Sequence, residues 1–339
     1  MKEQTMELEK YTAAYFSTTK EILAKEKPDN VIIMQFFQRK DDCILGGIND
    51  VLALLEASTD TSKYSIKYLP EGSKINNLDI VLELEGHYHD FGLWEGVIDG
   101  ILSRYSSIAS NAARCVRAAR GKEIIFMGDR ADHYINQEID GKAARLGGIK
   151  LVSTLAQKTS DLVVDENLFG SMPHVLIQGF KGDVVAAAKA FLKTFPNRKL
   201  IALVDYNNNV IQDSLKLWNT LGNKVWGVRV DTSKNMSDHM FDHQKPQYGV
   251  NPEQITRLRN VLDQAGAKQW KIVVSSGFNE TKIKEFEELH VPVDYYGVGQ
   301  SIFKLTHTFS ADATFLNGNP EAKEGRKYRF NPKLIKYQK

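Results

Sequence analysis

Hydrophobic residues in the second half of the chain occur in short runs, separated by stretches with helical periodicity. Uniformly apolar strands that alternate with helices are typical of parallel βα units. Such units, of about 20–30 residues, suit either a (β/α) barrel or a doubly wound sheet, and we favour the barrel. The runs that predict strands are KEIIFMG (122–128), PHVLIQGF (173–180), KLIALVDYN (199–207), VWGVRVDTS (225–233), WKIVVSSGFN (270–279) and VPVDYYGVG (291–299).

Helices between these strands have recognisable starts. Asn251 and Pro252 predict a helix over 251–266, because Asn caps helices and Pro suits the first turn. The ranges 183–195 and 279–289 have a similar pattern. The first hundred residues are mixed and predict strands over 31–37 and 79–85, helices over 47–56 and 93–120, and a turn-rich connection over 68–79.

Composition narrows the class of protein. The 339 residues suggest about two domains, or one large barrel with an attachment. Lys and Arg number 44 against 42 Asp and Glu, a net charge of +2, which argues against a dedicated binder of nucleic acid or membrane surfaces. The stretch 323–339 carries seven Lys or Arg against one acid, and we interpret it as a solvated basic tail.

The two cysteines, Cys43 and Cys115, are far apart and form no CxxC motif. A disulfide scaffold or a Cys-based zinc site is therefore not expected. The first twenty residues are polar, and the longest apolar runs are far shorter than a membrane span. We expect a reducing, cytoplasmic compartment and no membrane partner.

Polar clusters follow the predicted strands, where sites of parallel α/β folds lie. Arg130 and Arg229 could pair with carboxylate or phosphate groups. Asp205 and Asp231 could hold a divalent cation through water or face a developing positive charge; each could instead cap a helix or form a turn. The clusters are Gly128-Asp129-Arg130, Asp205-Tyr206-Asn207, Arg229-Val230-Asp231-Thr232, Ser275-Ser276-Gly277 and Gly297-Val298-Gly299.

The last two clusters contain glycine, and barrels commonly bind phosphate after their final strands. Tight turns are the alternative interpretation. The residues alone therefore favour a barrel enzyme with a phosphorylated substrate.

Histidines add one candidate. His174 begins the predicted strand 173–180, and composition leaves open whether it is structural or functional. His239 and His243 have i, i+4 spacing but no apolar helix face, so we interpret their segment as a solvated loop. His87 and His89 alternate as in a strand and do not predict a metal site.

Motifs in consistent order along nearly the whole chain resemble one family. The sequence is similar to the nicotinate phosphoribosyltransferases, within the type II phosphoribosyltransferases, and most of all to their short archaeal-type branch. The motifs are AYFSTTKEIL, YLPEGS, EGHYHDFGLWEG, SSIASNAAR, FMGDRADH, GSMPHVLIQGF, LVDYN, GVRVDTS, VVSSGF, DYYGVGQSI and FSADATFLNGNPEAKEGRKYR.

The resemblance implies an irregular α/β barrel, residues 103–304, joined to an α/β sandwich built from 1–102 and 305–339. It implies a homodimer with shared active sites. The implied reaction joins nicotinate to phosphoribosyl pyrophosphate, giving nicotinate mononucleotide and pyrophosphate, coupled to ATP hydrolysis.

Individual roles also follow from the resemblance. His174 matches the histidine that ATP phosphorylates, while Asp205 and Asp231 match acidic positions near the ribose. Magnesium would bind through the substrate pyrophosphate, with Asp231 as a candidate ligand. Ser276, with Gly277, Gly297 and Gly299, matches the cradle of the ribose 5-phosphate.

The pyridine has its own implied contacts. Tyr15, with Phe16 beside it, matches the aromatic that stacks on the ring, contributed by the partner subunit. Arg130 matches the arginine that holds the carboxylate, for which a guanidinium is suited. Arg229 lies beside the phosphate cradle in this alignment.

The sequence departs from the family at several positions. Met127 stands at an expected aromatic position, and Asn111 stands where relatives often carry lysine. GGIKLVST replaces a GTSN-like stretch and lacks an aspartate typical of nicotinamide-specific relatives, which favours the acid as substrate. A Cys-rich zinc module cannot follow Cys115 here, since that is the last cysteine.

Other functions stay open. Nicotinamide or quinolinate could be the substrate, although quinolinate would need a denser basic pocket. A non-catalytic binder of phosphoribosyl pyrophosphate or nucleotide is a second class. A phosphosugar aldolase or isomerase is a third, disfavoured because no strand end offers a lysine or glutamate base.

Overall fold

The structure is a computed structural model that describes residues 8–338. Residues 1–7, part of the polar first segment, residue 339 and the side chains of 164 and 165 lie outside the described residues. The chain divides into two compact units, Met1–Ser110 with Lys304–Lys339, and Asn111–Phe303. No helix in the described part is both long and apolar enough to span a membrane.

Within residues 8–338, fourteen strands and eleven helices position the site described below. The strands are β1 (Val31–Gln38), β2 (Cys43–Ile44), β3 (Ser65–Tyr68), β4 (Lys74–Ile75), β5 (Ile80–His87), β6 (Glu123–Phe126), β7 (Leu151–Val152), β8 (Ile201–Leu203), β9 (Gly227–Val230), β10 (Lys271–Val274), β11 (Tyr295–Val298), β12 (Phe309–Leu316), β13 (Asn319–Pro320) and β14 (Ile335–Lys336). The helices are α1 (Ala14–Glu26), α2 (Ile48–Ser58), α3 (Tyr88–Phe91), α4 (Glu95–Ala118), α5 (Gln137–Leu146), α6 (Val164–Asn167), α7 (His174–Gly179), α8 (Val184–Thr194), α9 (Val210–Leu221), α10 (Pro252–Gln264) and α11 (Glu280–Glu288).

The first unit is built on an antiparallel sheet with the strand order β13-β12-β1-β5-β3-β14. Its central strand β1 pairs with β5 on one side and with β12 on the other. Strands from both ends of the chain are therefore needed, as predicted for the sandwich. Helix α2 covers this antiparallel sheet with four apolar residues at helical spacing, all buried in the core of this unit. They are Ile48, Val51, Leu52 and Leu55.

The basic C-terminal stretch is mostly exposed, as expected of a solvated segment, but it is docked on this sheet and is not a loose tail. The backbone N–H of Arg329 donates to Gln35 Oε1 at 3.0 Å, and Asn331 Nδ2 donates to the carbonyl of Ile80 at 2.7 Å. Farther along, β14 pairs with β3. Gln35 is buried beside Glu83, and buried polar groups need partners, which this stretch supplies.

The second unit contains a parallel sheet of six strands in the order β7-β6-β11-β10-β9-β8. Its edge strands β7 and β8 are connected through residues 168–172. Phe169 N–H donates to the carbonyl of Val152 at 2.8 Å, and Met172 N–H donates to that of Ile201 at 3.4 Å. The ring of strands thus closes through an irregular segment, which confirms the predicted irregular barrel.

Apolar side chains from distant strands pack together inside this ring. Ile125, Leu151, Ile201 and Val273 come from β6, β7, β8 and β10 and form one buried cluster. Because β7 and β8 are opposite edges of the sheet, these side chains meet only if the sheet curls around them. Residues two positions further along each strand therefore face the same interior, one layer nearer to the carboxyl ends.

The strand predicted over 173–180 is wrong, since His174–Gly179 forms helix α7. A short apolar run cannot be distinguished from a helical segment by periodicity. Pro173 precedes the helix with extended backbone and is its N-cap residue. Residues 168–172 already occupy the space between the two edge strands, and only Ile177 of the helix is buried.

The predicted helix starts are confirmed in detail. Asn251 Oδ1 accepts from the N–H of Gln254 at 2.9 Å, and Pro252 is the first residue of α10. Asp183 and Asn279 cap α8 and α11 with the same kind of hydrogen bond. These caps fix where each helix begins after its strand-end loop.

Two helical glycines allow a test of the packing around the barrel. A Cβ on Gly141 in α5 would lie 2.1 Å from the backbone oxygen of Gln157, whereas one on Gly100 in α4 would meet nothing within 4 Å. We expect Gly141→Ala to lose about 1–3 kcal/mol of unfolding free energy through overpacking, despite better helix propensity. The matched control Gly100→Ala should gain up to about 1 kcal/mol. Urea denaturation measures both, and a gain for Gly141→Ala would contradict this packing.

Candidate active site

The carboxyl ends of the barrel strands bring together most of the polar residues singled out in the sequence. Asp205, Asp231 and Gly299 follow β8, β9 and β11. Asp205 is four residues beyond Ile201 of the interior cluster, so alternation directs its side chain towards the same interior. The site is therefore in the mouth of the barrel, where α/β barrels bind their ligands.

His174 and Asp205 form the central contact. His174 Nε2 lies 3.2 Å from Asp205 Oδ2. The His174 side chain is 48% exposed, whereas that of Asp205 is 7% exposed. An accessible imidazole thus contacts a buried carboxylate that can orient it.

The environment of Asp205 opposes its ionisation. Burial raises the pKa of this carboxyl above its ordinary value. Positive charge on His174 would lower this pKa, and the nearby negative charge of Asp231 raises it further. Asp205 Oδ1 is buried and accepts no hydrogen bond from the described residues. A carboxylate oxygen in this state is suited to a ligand, a cation or a proton from outside the chain.

Asp231 is held from two sides. Ser275 Oγ donates to Asp231 Oδ1 at 2.5 Å, and Arg229 Nη2 lies 3.9 Å from Asp231 Oδ2. Ser275 is 3% exposed, and the buried Nε of Arg229 donates no hydrogen bond within the described chain. The sequence places Ser275 in a polar strand-end cluster but gives it no role of its own. Strand alternation identifies it as an inward residue, because it lies two residues after the interior residue Val273.

The turn after β10 has an unusual backbone conformation. Ser276 and Gly277 both have a φ of +73°, so two successive residues are left-handed. Such a conformation is rare for serine and clusters at functional turns. Ser301 Oγ donates to the carbonyl of Phe278 at 2.9 Å and ties this turn to the segment after Gly299.

The glycine turn at the end of β11 lies very close to Met127. A Cβ on Gly299 would lie 2.4 Å from the carbonyl oxygen of Met127, and one on Gly297 would lie 2.6 Å from the Met127 sulfur. Space thus requires glycine at 299, where the obstacle is backbone, whereas a Cβ at 297 would displace the flexible end of the Met127 side chain. Met127, the departure from the family's aromatic, fills the volume beside Gly297.

Arg130 lies in the exposed turn after β6. The turn is anchored by Gln137, whose Nε2 donates to the carbonyl of Asp129 at 3.1 Å and whose Oε1 accepts from Thr154 Oγ1 at 2.8 Å. The guanidinium is accessible to a ligand. Asn111, the other departure, is buried and donates to the carbonyl of Ile302 at 2.8 Å, which is a structural contact.

The two predicted aromatics belong to the other compact unit. Tyr15 and Phe16 lie on α1 with ring centroids 4.3 Å apart. Phe16 is buried in the core of its own unit, whereas Tyr15 is 64% exposed. Of the pair, Tyr15 has the surface that a ligand would need.

The carboxylates fit a magnesium ion that a substrate brings with it. Mg²⁺ prefers hard oxygen ligands, and it is usually bound through one or two carboxylates plus substrate phosphates. Asp205 Oδ1 is a buried oxygen without a hydrogen-bond donor in the described chain, and Asp231 is close enough to influence its ionisation. Among the described residues no group of three or more His, Cys, Asp or Glu side chains could hold a metal alone.

Comparisons with known proteins agree with this architecture. Residues 13–106 match the family model described as quinolinate phosphoribosyl transferase, N-terminal domain. The nicotinate-nucleotide pyrophosphorylase of Pyrococcus furiosus is 30% identical, with a TM-score of 0.83 over 96% of this chain and 80% of that one. Human nicotinic acid phosphoribosyltransferase, 17% identical with a TM-score of 0.69 over 91% and 75% of the two chains, shares the fold.

Among curated sequences, a nicotinate phosphoribosyltransferase of Mycobacterium tuberculosis is 30% identical over 242 residues, 69% of this chain and 47% of the relative. The chain spans about half the length of the curated relatives it matches. The extent of the structural match, together with these relatives, decides the class. The chain belongs to the type II phosphoribosyltransferases, the family of the nicotinate phosphoribosyltransferases, which confirms the resemblance seen in the sequence.

The buried carboxyl leads to a stability prediction. Because the folded pKa of Asp205 is raised above its unfolded value, its ionised form destabilises the fold at neutral pH; this penalty disappears as the pH falls below the unfolded pKa of about 3.9. We expect Asp205→Asn to raise Tm at pH 7, with a gain that shrinks towards pH 4. As a control, Asp263→Asn removes the exposed carboxylate partner of Arg259, whose side chain is largely buried, and should not raise Tm. A gain for Asp205→Asn that does not change with pH would contradict the assignment.

Proposed function

We propose that this protein is a nicotinate phosphoribosyltransferase. It would join nicotinate to phosphoribosyl pyrophosphate, releasing nicotinate mononucleotide and pyrophosphate, in the biosynthesis of NAD. The observation that carries the proposal is the contact of His174 with Asp205 in the barrel mouth, between Asp231 and the two glycine turns. The relatives' names, nicotinate phosphoribosyltransferase and nicotinate-nucleotide pyrophosphorylase, support the same chemistry.

The reacting groups suit transfer of a ribosyl cation. The pyridine nitrogen attacks the anomeric carbon, the bond from this carbon to the pyrophosphate oxygen breaks, and pyrophosphate leaves with the electron pair. Positive charge develops on the ribose in the transition state, and the carboxylates of Asp205 and Asp231 would stabilise it. The 5-phosphate would be bound through the backbone N–H groups of Ser276, Gly277, Gly297 and Gly299.

We propose that Mg²⁺ enters with the pyrophosphate and is contacted by Asp205 or Asp231. The ion would neutralise charge on the leaving group. Asp231 would be oriented for this by Ser275 and Arg229, which approach its two oxygens from different sides.

ATP coupling through His174 belongs to the same proposal. If Nε2 carries its proton towards Asp205, the lone pair of Nδ1 is free to attack the γ-phosphorus of ATP. The bond between this phosphorus and the bridging oxygen then breaks, and ADP leaves. Phosphohistidine would place new negative charge beside the magnesium and the pyrophosphate-bearing substrate.

A homodimer is supported by the surface of the strand-end loops and of helix α7. Large apolar side chains are exposed there, which is unusual unless they are covered by a partner or ligand. They are Tyr134, Ile135, Leu155, Val175 and Tyr248. We propose that a second copy covers this rim and contributes Tyr15 to the pyridine site. Cys43 and Cys115 are buried thiols, which agrees with the expected cytoplasmic location.

The alternatives predict different ligands for the same site. Nicotinamide would not need the exposed guanidinium of Arg130, and quinolinate would need further cations for its second carboxylate. A non-catalytic binder would not need an imidazole held on a buried acid. The orientation of His174 by Asp205 therefore favours an enzyme.

Substrate choice can be tested directly. With phosphoribosyl pyrophosphate, Mg²⁺ and ATP, we expect mononucleotide formation from nicotinate and little from nicotinamide or quinolinate. Arg130→Gln should lower kcat/KM for nicotinate by about ten- to a hundredfold, because a charge-assisted pair worth about 1.5–3 kcal/mol is lost. The control Arg145→Gln breaks an exposed pair with Asp161 and should leave turnover unchanged. Turnover of another pyridine alone would reject nicotinate; binding without turnover would favour the non-catalytic alternative.

ATP coupling has its own test. We expect His174→Ala to lose ATP stimulation and the acid-labile phosphate trapped from γ-labelled ATP, while some ATP-independent turnover remains. His243→Ala, in the exposed loop after β9, is the matched control and should behave as wild type. Equal ATP stimulation in His174→Ala would rule out the proposed role.

A further inference from the structure

Helix α7 carries His174 but has few contacts that fix its position. Of its six residues only Ile177 is buried, and no side chain among the described residues caps its N-terminus. At its start, the link through Met172 N–H to the Ile201 carbonyl is long, at 3.4 Å. The separation of the imidazole from Asp205 must therefore be fixed mainly from the other end of the helix.

A side chain from the Asp205 loop holds that other end. Asn207 Nδ2 donates to the carbonyl of Gly182, in the turn that follows α7, at 3.0 Å. The same nitrogen donates to Asp213 Oδ2 at 2.8 Å. Asp213 is buried on α9, where Lys216 pairs with its other oxygen at 3.1 Å, so it is a fixed anchor.

The turn is shaped for this contact. Gly182 has a φ of +85°, and a Cβ there would lie 3.3 Å from Asn207 Oδ1 and 3.4 Å from the Tyr206 ring. The Tyr206 ring centroid in turn lies 6.2 Å from that of His174. Three consecutive residues, 205, 206 and 207, therefore contact the first residue of one short helix and the turn that follows it.

We propose that Asn207 is a positioning residue that holds His174 on Asp205, through the Gly182 carbonyl and with Asp213 as its anchor. A primary amide is required because both of its hydrogens are used, one on a carbonyl and one on a carboxylate. An aspartate in place of Asn207 would repel both acceptors, and an alanine would release both. The catalytic consequence rests on the proposed role of His174 in ATP coupling, whereas the positional claim does not.

The first measurement is hydrogen exchange, which does not depend on activity. We expect Asn207→Ala to accelerate exchange at the amides of residues 180–182, which are hydrogen-bonded to α7 carbonyls, and to leave α10 unchanged. The control Asn209→Ala removes the α9 cap, a hydrogen bond to Gln212 N–H, without touching Gly182. Unchanged exchange at 180–182 in Asn207→Ala would overturn the proposal, whatever reaction the protein catalyses.

The second measurement is ATP-stimulated against ATP-independent turnover. A misplacement of about 1 Å can cost up to about a hundredfold in rate, so we expect Asn207→Ala to lose about ten- to a hundredfold of the ATP-stimulated kcat. ATP-independent kcat/KM should change by less than about threefold, on the order of the effect of a distant substitution. Equal losses in both rates would overturn a role through His174.

A charge exchange separates positioning from simple stabilisation. In the double variant Asn207→Asp, Asp213→Asn, the new amide at 213 can donate to the new carboxylate at 207, but the Gly182 carbonyl still lacks a donor. We expect Tm to recover relative to Asn207→Asp, while ATP stimulation stays low. Recovery of ATP stimulation together with Tm would overturn the role of the Gly182 carbonyl. Asp213→Asn alone keeps an acceptor for Asn207 and should retain ATP stimulation.

Discussion

The six parallel strands of the second unit place their carboxyl ends around one interior because β7 and β8 are connected through residues 168–172. Without that connection the sheet would be open, and the side chains after β8 would face solvent. Closure buries Asp205 and aligns it with the residues that follow β9, β10 and β11. The raised pKa of Asp205 is thus a consequence of the ring, since burial is its largest cause.

In the contact between Asp205 and His174, the carboxylate is buried and the imidazole is accessible. The carboxylate follows a strand of the ring and is 7% exposed, while the imidazole belongs to a short helix of which only Ile177 is buried. A helix with few fixed contacts can move to make room for a ligand more easily than a strand of the ring can. Its position must then be fixed by neighbouring loops. The Asn207 side chain meets this need from the same loop as the carboxylate. An ionised acid in this environment lowers stability, a common compromise at functional sites.

Much of the fold was predictable, and the exceptions have physical causes. The runs before Asp205, Asp231 and Ser275 are apolar throughout and flanked by capped helices, so they were assigned to parallel strands correctly. The run 173–180 failed because eight apolar-rich residues fit either structure. Ser275 belongs to a cluster that the sequence singles out, but it received no role of its own because the phosphate interpretation rests on neighbouring Ser276 and Gly277. Period-two alternation favours Ser275 as the inward residue, and its hydroxyl donates to Asp231.

Periodicity, capping and motif order are local properties, so the sequence alone was enough to predict the class of fold, the helix starts and a set of candidate site residues. The tertiary structure decided which of those residues meet. It placed His174 3.2 Å from Asp205, 31 positions away, and docked the basic C-terminal stretch on the first sheet. Contacts of this kind depend on how the ring of strands closes and on which buried polar groups still need hydrogen-bond partners. No single segment of the sequence contains that information.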